Sequence, residues 1–491
     1  MSLSKCLRNR RCTLPFVVAI GIATGLAMYL SASLSTLQPG FPLDDAWIHQ
    51  TYARNLVEYG VWAFSPEESS AGSTAPLWTI LLTPGYLLGL SPLSWVVVLA
   101  ICQLGLLAWL GTRWLRARVP GSGDWWVLLL LTEWHLLWAA LSGMETLLIG
   151  LAALVVFALM EERQPPWFWL GILIGVAVWI RPDAVTLFLP VGWVWLFTKP
   201  RARKKHWENM LWTGVGFLLL FIPYLLFNRS LSGEWWPSTF YAKQAEYGAL
   251  RDSPFLSRLA GQYLLPLVGV GATLLPGSIY MLVLRIRERR WDELGGFLWI
   301  AGLLALYAVR LPVQYQHGRY AMPVLPLFLL LGMEGLLKWA KPASEKLAMR
   351  LLSRVWMVSV IAIQIVFFIR GARAYAQDVA IVESEMVATA IWIRDELPDE
   401  ALLAVHDIGA VGYFTPNPIV DLAGLVSPDV IPFIRDEVAL KDFLDEESAA
   451  YLVTFPGWYP ALTAEAEMIY SSGAPFSPAA GGENMSVYRW P

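Results

Sequence analysis

Apolar runs close to 20 residues long recur from residue 13 to residue 370, separated by short polar segments. A helix of about 20 apolar residues is what crosses a bilayer's hydrocarbon core. A chain built this way can only be an α-helical polytopic membrane protein. Eleven runs qualify, near 13–35, 94–112, 125–141, 143–160, 167–181, 184–198, 209–227, 262–284, 295–310, 320–339 and 352–370. The first is longer than the apolar core of a cleavable signal, about 7–15 residues, and reads as an uncleaved span, with cleavage near Ser33 as the alternative. The run 77–90 has Pro84-Gly85 at its centre and only 14 residues, which suits an interfacial helix.

Composition agrees. Of 491 residues, 56% are hydrophobic and 15% charged, against about 25% charged in soluble domains. The 26 tryptophans suit the headgroup belts. Disorder, collagen and disulfide scaffolds are excluded. Cysteine occurs only at Cys6, Cys12 and Cys102, so nothing staples the polar C-terminal stretch. A net charge of −3 is no argument about nucleic acid, and no nucleic-acid partner is expected.

Sidedness follows from the basic residues. With the N-terminus inside and eleven spans, 22 of the 36 Lys and Arg fall on inside segments and 8 on outside ones before the last span ends. Counting 77–90 as a span would destroy that asymmetry. The expected topology is therefore a cytoplasmic N-terminus and an extracytoplasmic tail in the plasma (inner) membrane. The membrane part is expected at 1–370, with its first outside loop at 41–75. A small α/β domain is expected at 371–491: a helix over 379–397, strands at 401–406, 418–422, 451–455 and 485–490, and a helix over 432–447.

The outside segments hold the chemistry. In FPLDDAWIHQTYARNL, Asp44 and Asp45 open a helical pattern. One aspartate there caps free N–H groups; a second can point into a cavity. Asp45 and His49 share a helical face, and the blander reading of His49 is a satisfied interfacial histidine. Arg181 of RPDA, Lys243 of PSTFYAK, and His317 and Arg319 of HGRYAMP sit at outside span ends. Charges at membrane depth are costly and usually functional, although each of these can also snorkel to the headgroups. Together they describe an anion site, fit for a phosphate, beside a carboxylate base. Glu145 in SGMET pairs with Ser142 as a capping box, or alternatively with Arg181. Asp407 and Asp421 are candidates to bind acceptor, but they lie at strand ends, where caps and turns are the default. Walker loops, dinucleotide fingerprints, zinc-type clusters and G-x-S-x-G are absent from the sequence.

DDAWIHQTYARNL, GSTAPLW, SGMET, RPDA, PSTFYAK, HGRYAMPVLPL, HDIGAVGYF and VDLAGLVSP together resemble the GT-C superfamily of polytopic glycosyltransferases. The likeness is to the branch of protein O-mannosyltransferases and the lipid A aminoarabinose transferase, over about 41–428. It implies a polyprenyl-phosphate sugar donor, interfacial helices in the first outside loop, and a catalytic aspartate at Asp44 or Asp45. The tail lacks a recognisable carbohydrate-binding motif, so a glycan, a lipid or a protein all stay open as acceptor.

The expected reaction is inverting transfer of the sugar to a hydroxyl at the outer face of the lipid bilayer. Asp44 would be the general base, Asp45 and His49 would position hydroxyls, and Arg181, Lys243 and Arg319 would receive the leaving phosphate. A divalent cation on Asp44 and Asp45 is a further expectation, since both offer hard oxygens. The alternatives are a flippase or transporter of a lipid-linked sugar without bond chemistry, and a structural or sensor protein. A transporter would more often show inverted repeats, which the sequence lacks.

Overall fold

The structure, a computed structural model, describes residues 10–162, 164–197, 203–340 and 347–491. Lys5, Arg8, Arg163, Lys199, Arg201, Lys341 and Lys346, all counted above as inside cations, lie outside the described residues.

The chain is a helical membrane bundle followed by a small mixed sheet. Its helices are α1 (Arg10–Thr36), α2 (Asp45–Glu58), α3 (Pro76–Leu87), α4 (Pro92–Arg118), α5 (Val127–Leu131), α6 (Trp134–Leu141), α7 (Thr146–Met160), α8 (Trp167–Ile180), α9 (Phe188–Phe197) and α10 (Arg203–Ser232). Then come α11 (Ser238–Glu246), α12 (Phe255–Leu264), α13 (Val270–Arg287), α14 (Gly295–Arg310), α15 (Leu325–Ala340) and α16 (Leu347–Val382). The tail adds α17 (Ala388–Glu396), α18 (Ile408–Phe414) and α19 (Glu437–Glu446).

Among the described residues, 7 helices are long and apolar enough to cross a membrane, or 8 if the bent pair α6 and α7 is one span. This is an integral multi-pass membrane protein. The expected count of eleven is not reached by length. The remaining expected runs are helical but short: α6 and α7 meet at 116°, and Trp167–Ile180 and Pro182–Phe197 are broken at Arg181. Arg181 is extended (φ −156°, ψ 135°), as the residue before a proline prefers. Every residue of α6 is buried. Hydropathy counts apolar side chains without saying whether lipid or protein covers them, and irregular backbone is tolerated where protein covers it.

The first polar segment carries α2, a two-stranded ribbon of β1 (Ala63–Ser65) and β2 (Glu68–Ser69), and α3. At 12 residues α3 is too short to span, in line with the interfacial reading of 77–90.

The expected helix at 379–397 is the end of something longer. α16 continues through one π-helical turn (Glu383–Val387) into α17 without a break. The tail sheet then forms from β3 (Leu403–Val405), β4 (Ile419–Asp421), β5 (Tyr451–Thr454), β6 (Glu467–Ser471) and β7 (Ser486–Arg489), in the order β4-β3-β5-β7-β6. β3 runs parallel to β4 and β5, while β7 is antiparallel to β5 and β6. Four of these strands were expected. β6 was not: it is an edge strand, largely exposed, with no alternating apolar signal. α19 starts later than the expected 432, because Asp436 caps it by accepting from the N–H groups of Val438 and Ala439.

α18, also unexpected, ties the tail to the membrane part. Its Tyr413 and Phe414 pack on Trp47 of α2 with ring centroids 4.7 and 4.8 Å away. Arg54 of α2 donates to the Tyr413 carbonyl at 2.6 Å. Aromatic pairs at such spacings add about 0.5–1.5 kcal/mol each beyond burial.

Candidate active site

The two aspartates at the start of α2 face different surroundings. Asp44 does not cap its own helix. Its two oxygens accept the main-chain N–H groups of Gly409 (2.7 Å) and Ala410 (2.8 Å), at the start of α18. Asp407, in the N-cap position of α18, makes no cap bond. The cap of one helix is thus supplied by another, 365 residues away in sequence. Asp44 is buried. Burial and the neighbouring Asp407 push its carboxyl up, against the pull of the two N–H groups. Burial likewise raises Asp407, to about 6. Both carboxyls are held above the ordinary carboxylate range.

Asp45 meets cations instead. Its Oδ2 lies 2.6 Å from Arg319 Nη2 and 3.5 Å from Lys243 Nζ, and its side chain is 28% exposed. Burial alone would raise its carboxyl, but Arg319 and Lys243 outweigh that and hold it well below the usual range. Burial pulls the Lys243 ammonium down, while Tyr320 and Asp45 more than offset it, so the lysine is charged. Both cations also donate to the Tyr320 hydroxyl, Lys243 at 3.3 Å and Arg319 at 3.2 Å. Arg319 keeps two buried donors, Nε and Nη1, without a hydrogen-bond partner. Buried donors normally find one.

A left-handed turn sets Arg319 in place. Gln316, His317 and Gly318 have φ of 52°, 56° and 70° in succession. Two of the three are not glycine, a costly geometry that clusters at functional sites.

Two cavities meet at these cations. The first, about 310 Å³, is lined by Arg181, Asp183, Trp236, Phe240, Leu306 and Tyr307 among others, together with Lys243 and Arg319. Its walls are mainly apolar. The second, about 460 Å³, has Asp44, Asp45, Glu246, Asp407, Arg435 and Trp458 in its wall, again with Lys243 and Arg319. Arg181, Lys243 and Arg319 therefore share the first cavity, and the aspartates look into the second.

Arg181 is paired already. It donates to Asp183 at 3.2 and 3.0 Å and to the Tyr307 hydroxyl, with Glu145 Oε1 at 3.8 Å. The capping box expected for Ser142 and Glu145 is not formed. Ser142 donates to the Ala139 carbonyl, and Glu145 makes no cap bond because its side chain turns toward Arg181 and His49.

The histidines lie apart from the anion site. His49 Nδ1 sits 3.1 Å from Ser73 Oγ and 3.2 Å from Thr79 Oγ1, and no hydrogen bond joins it to Asp45. Burial lowers its pKa, so the ring is neutral. His317 lines neither cavity. Its Nε2 contacts Asp378 Oδ2 at 2.7 Å, between the edges of Trp134 and Trp138. The inverted turn points it away from its neighbour Arg319.

The donor set does not fit a divalent cation on the aspartate pair. Asp44 spends both oxygens on main-chain N–H groups, and Asp45 faces two positive charges. Among the described residues no three His, Cys, Asp or Glu groups converge as metal ligands.

Sequence reasoning missed Tyr320, Glu246, Arg435, Trp458 and Tyr459. Tyr320 stood within a quoted motif; the others come from segments that only tertiary folding brings together. Asp421 follows the default for a strand end, accepting from the N–H groups of Ala423, Leu425 and Val426 in a turn. Asp407 does not.

Comparison with solved structures reaches nearly the whole chain. ArnT from Cupriavidus metallidurans bound to undecaprenyl phosphate aligns over 96% of this chain and 97% of its own, with a TM-score of 0.56 and 16% identity. An oligosaccharyltransferase of Archaeoglobus fulgidus, tethered to an acceptor peptide, aligns over 91% and 69% with a TM-score of 0.60 and 9% identity. The same archaeal protein, AglB, has also been solved with an inhibitory peptide and a dolichol-phosphate, at TM-score 0.56 and 10% identity.

This is the GT-C glycosyltransferase fold.

At such identities the likeness is one of fold. A family model described as "Domain of unknown function (DUF8728)" matches residues 372–488, the tail alone. No curated protein matches the sequence.

Proposed function

We propose that this protein transfers a sugar from a polyprenyl-phosphate donor to an acceptor hydroxyl at the outer face of the plasma membrane, with inversion at the anomeric carbon. One observation carries the reading. Arg319 and Lys243 form the shared wall of an apolar and a polar cavity, and Arg319 keeps two buried donors without a partner. The GT-C fold supports it, as do the lipid phosphates bound by the two proteins of like fold. We assign residues 1–370 to the catalytic membrane part and 371–491 to an outer domain. The outside placement rests on the excess of basic residues on the opposite face.

In this reading the lipid phosphate lies against Arg319 and Lys243, with its chain toward the apolar cavity and Arg181 farther in. The acceptor oxygen attacks the anomeric carbon from the polar side. The bond from that carbon to the phosphate oxygen breaks, and its electron pair leaves with the phosphate. The acceptor's proton passes to Asp45. We take Asp45 as the base because Asp44 has both oxygens committed to α18. Asp45 rests as a poor base, held down by two cations. When a phosphate draws those cations toward itself, their grip on Asp45 loosens and its basicity rises. Donor binding would thus ready the base.

The test uses purified protein, a membrane lipid extract bearing labelled sugar, and a mixed acceptor pool. Asp45→Asn should abolish transfer. Arg319→Ala should lower turnover by about 100-fold, the loss expected when one donor to a developing oxyanion is removed. Near-normal transfer by Asp45→Asn sinks the assignment. Movement of intact donor across liposome membranes, with no sugar released, would make the protein a flippase.

A further inference from the structure

We infer that the polar cavity is the acceptor subsite and that it takes a neutral sugar ring, so that the acceptor is a glycan; the inference builds on the transferase reading above.

The cavity wants hydrogen-bond donors. Asp407 and Gln316 line it, and each has one buried side-chain oxygen without a partner, Oδ2 and Oε1. Leaving a buried acceptor unpaired is expensive, and a carboxylate oxygen is the more costly case. Hydroxyl groups would satisfy both. Asp407 is unpartnered for a reason visible in the fold. It occupies the N-cap position of α18, but the N–H groups it would take already bond to Asp44. Displacement from its default role leaves it to face the cavity.

An anion is disfavoured in the same space. Asp44, Asp45, Glu246 and Asp407 all line it. None of the cations on its wall is left for an acceptor anion, since Lys243 and Arg319 serve the donor phosphate in the reading above. Arg435 donates to the Glu246 carbonyl at 3.0 and 2.8 Å, and Lys243 and Arg319 hold Asp45 and Tyr320. What the walls leave is a neutral ligand with several hydroxyls.

Trp458 supplies the ring contact. It lines the cavity and is 46% exposed, so a large indole surface is uncovered. His406 holds it edge-on, with ring centroids 4.6 Å apart at 78°. His406 is itself fixed by the Tyr459 hydroxyl at 2.7 Å. A flat, exposed and braced aromatic beside unpaired acceptors suits the apolar face and hydroxyl rim of a sugar. The cavity also borders Asp45, so a hydroxyl bound there lies on the side from which attack must come.

The experiment uses the full chain and methyl glycosides of neutral hexoses and pentoses as probes. Binding is read by saturation-transfer NMR, without donor. Transfer is read as labelled disaccharide, using the labelled lipid extract. Trp458→Ala and Asp407→Asn should each abolish the saturation-transfer signal or weaken binding at least tenfold. They should raise the acceptor KM at least tenfold with the donor KM within twofold, and Trp458→Phe should recover most of the loss. Equal glycoside binding by wild type and Trp458→Ala overturns the inference. So does transfer to a Ser/Thr peptide with none to any glycoside. If no sugar leaves the lipid yet glycoside binding still depends on Trp458 and Asp407, the sugar site stands and the transferase reading falls.

Discussion

Asp44 and Asp45 are neighbours in sequence with unlike duties, because one side chain meets N–H dipoles and the other meets cations. Asp44→Asn keeps one acceptor for two main-chain donors, so one N–H at the start of α18 goes unpaired, at about 1–3 kcal/mol. We expect a lower unfolding temperature with turnover kept within tenfold. A variant as inactive as Asp45→Asn but fully stable would return the role of base to Asp44. Asp407 gives a pH signature. Its folded pKa, raised by burial to about 6 from 3.8, means that the folded state binds its proton more tightly than the unfolded chain. Stability is therefore full below the unfolded value and is lost as pH rises from about 4 through about 6. Asp407→Asn should unfold at a higher temperature than wild type at pH 7.5, and the gap should close by pH 4 in thermal melts. A gap independent of pH would show that the carboxyl is not strained. Stability withheld at a binding site in this way is a common trade.

At the scale of elements, the contact between the start of α2 and the start of α18 is the joint of the molecule. Gly409 makes it close: a Cβ there would run into the Asp44 main-chain oxygen. Gly409→Ala should force the two helices apart at about 1–3 kcal/mol, the usual cost of overpacking. It should expose the tail to limited proteolysis while the membrane helices stay intact. An unchanged digestion pattern would mean the joint is slack. The sequence displayed most elements plainly. Each expected run contains a helix, although 125–141 and 262–284 each straddle two, and four of five tail strands lie where they were expected. It hid α18, whose seven residues are too few for a 3.6-residue period to show, and β6, whose side chains are largely exposed. It also suggested eleven spans, several of them short, since apolar content does not reveal that α6 is wrapped in protein while α10 faces outward. The site was legible as a list of cations and carboxylates. Their pairing was not, because Arg319 reaches Asp45 across 274 residues and Asp44 reaches Gly409 across 365. His317 could not be told from Arg319 by spacing. Only the run of positive φ separates their directions.

For the whole molecule, the far end of α15 holds a second buried charge cluster. Glu334 takes Arg285 at 3.1 Å, Lys338 at 2.7 Å and Arg118 at 3.4 Å. It joins α4, α13 and α15 into one unit, about 14 Å along α15 from that helix's start at Leu325 by the 1.5 Å rise per residue. Glu334→Leu would leave the buried Arg285 with Glu293 as its remaining carboxylate partner and remove the shared partner of Arg118 and Lys338, a loss of up to about 3–5 kcal/mol. The expected result is poor recovery of folded protein in detergent, with donor KM unchanged in what is recovered. Full yield would show that the cluster is solvated.

The wall that Lys243 and Arg319 make between two cavities has a kinetic consequence. Two substrates that occupy separate chambers need not wait for one another, and neither has to leave before the other arrives. Initial-rate lines at several fixed acceptor concentrations should therefore intersect rather than run parallel, and a lipid phosphate without sugar should compete with donor but not with acceptor. In the proposed reaction that wall is where a lipid and a glycan meet, with no covalent stop on the way.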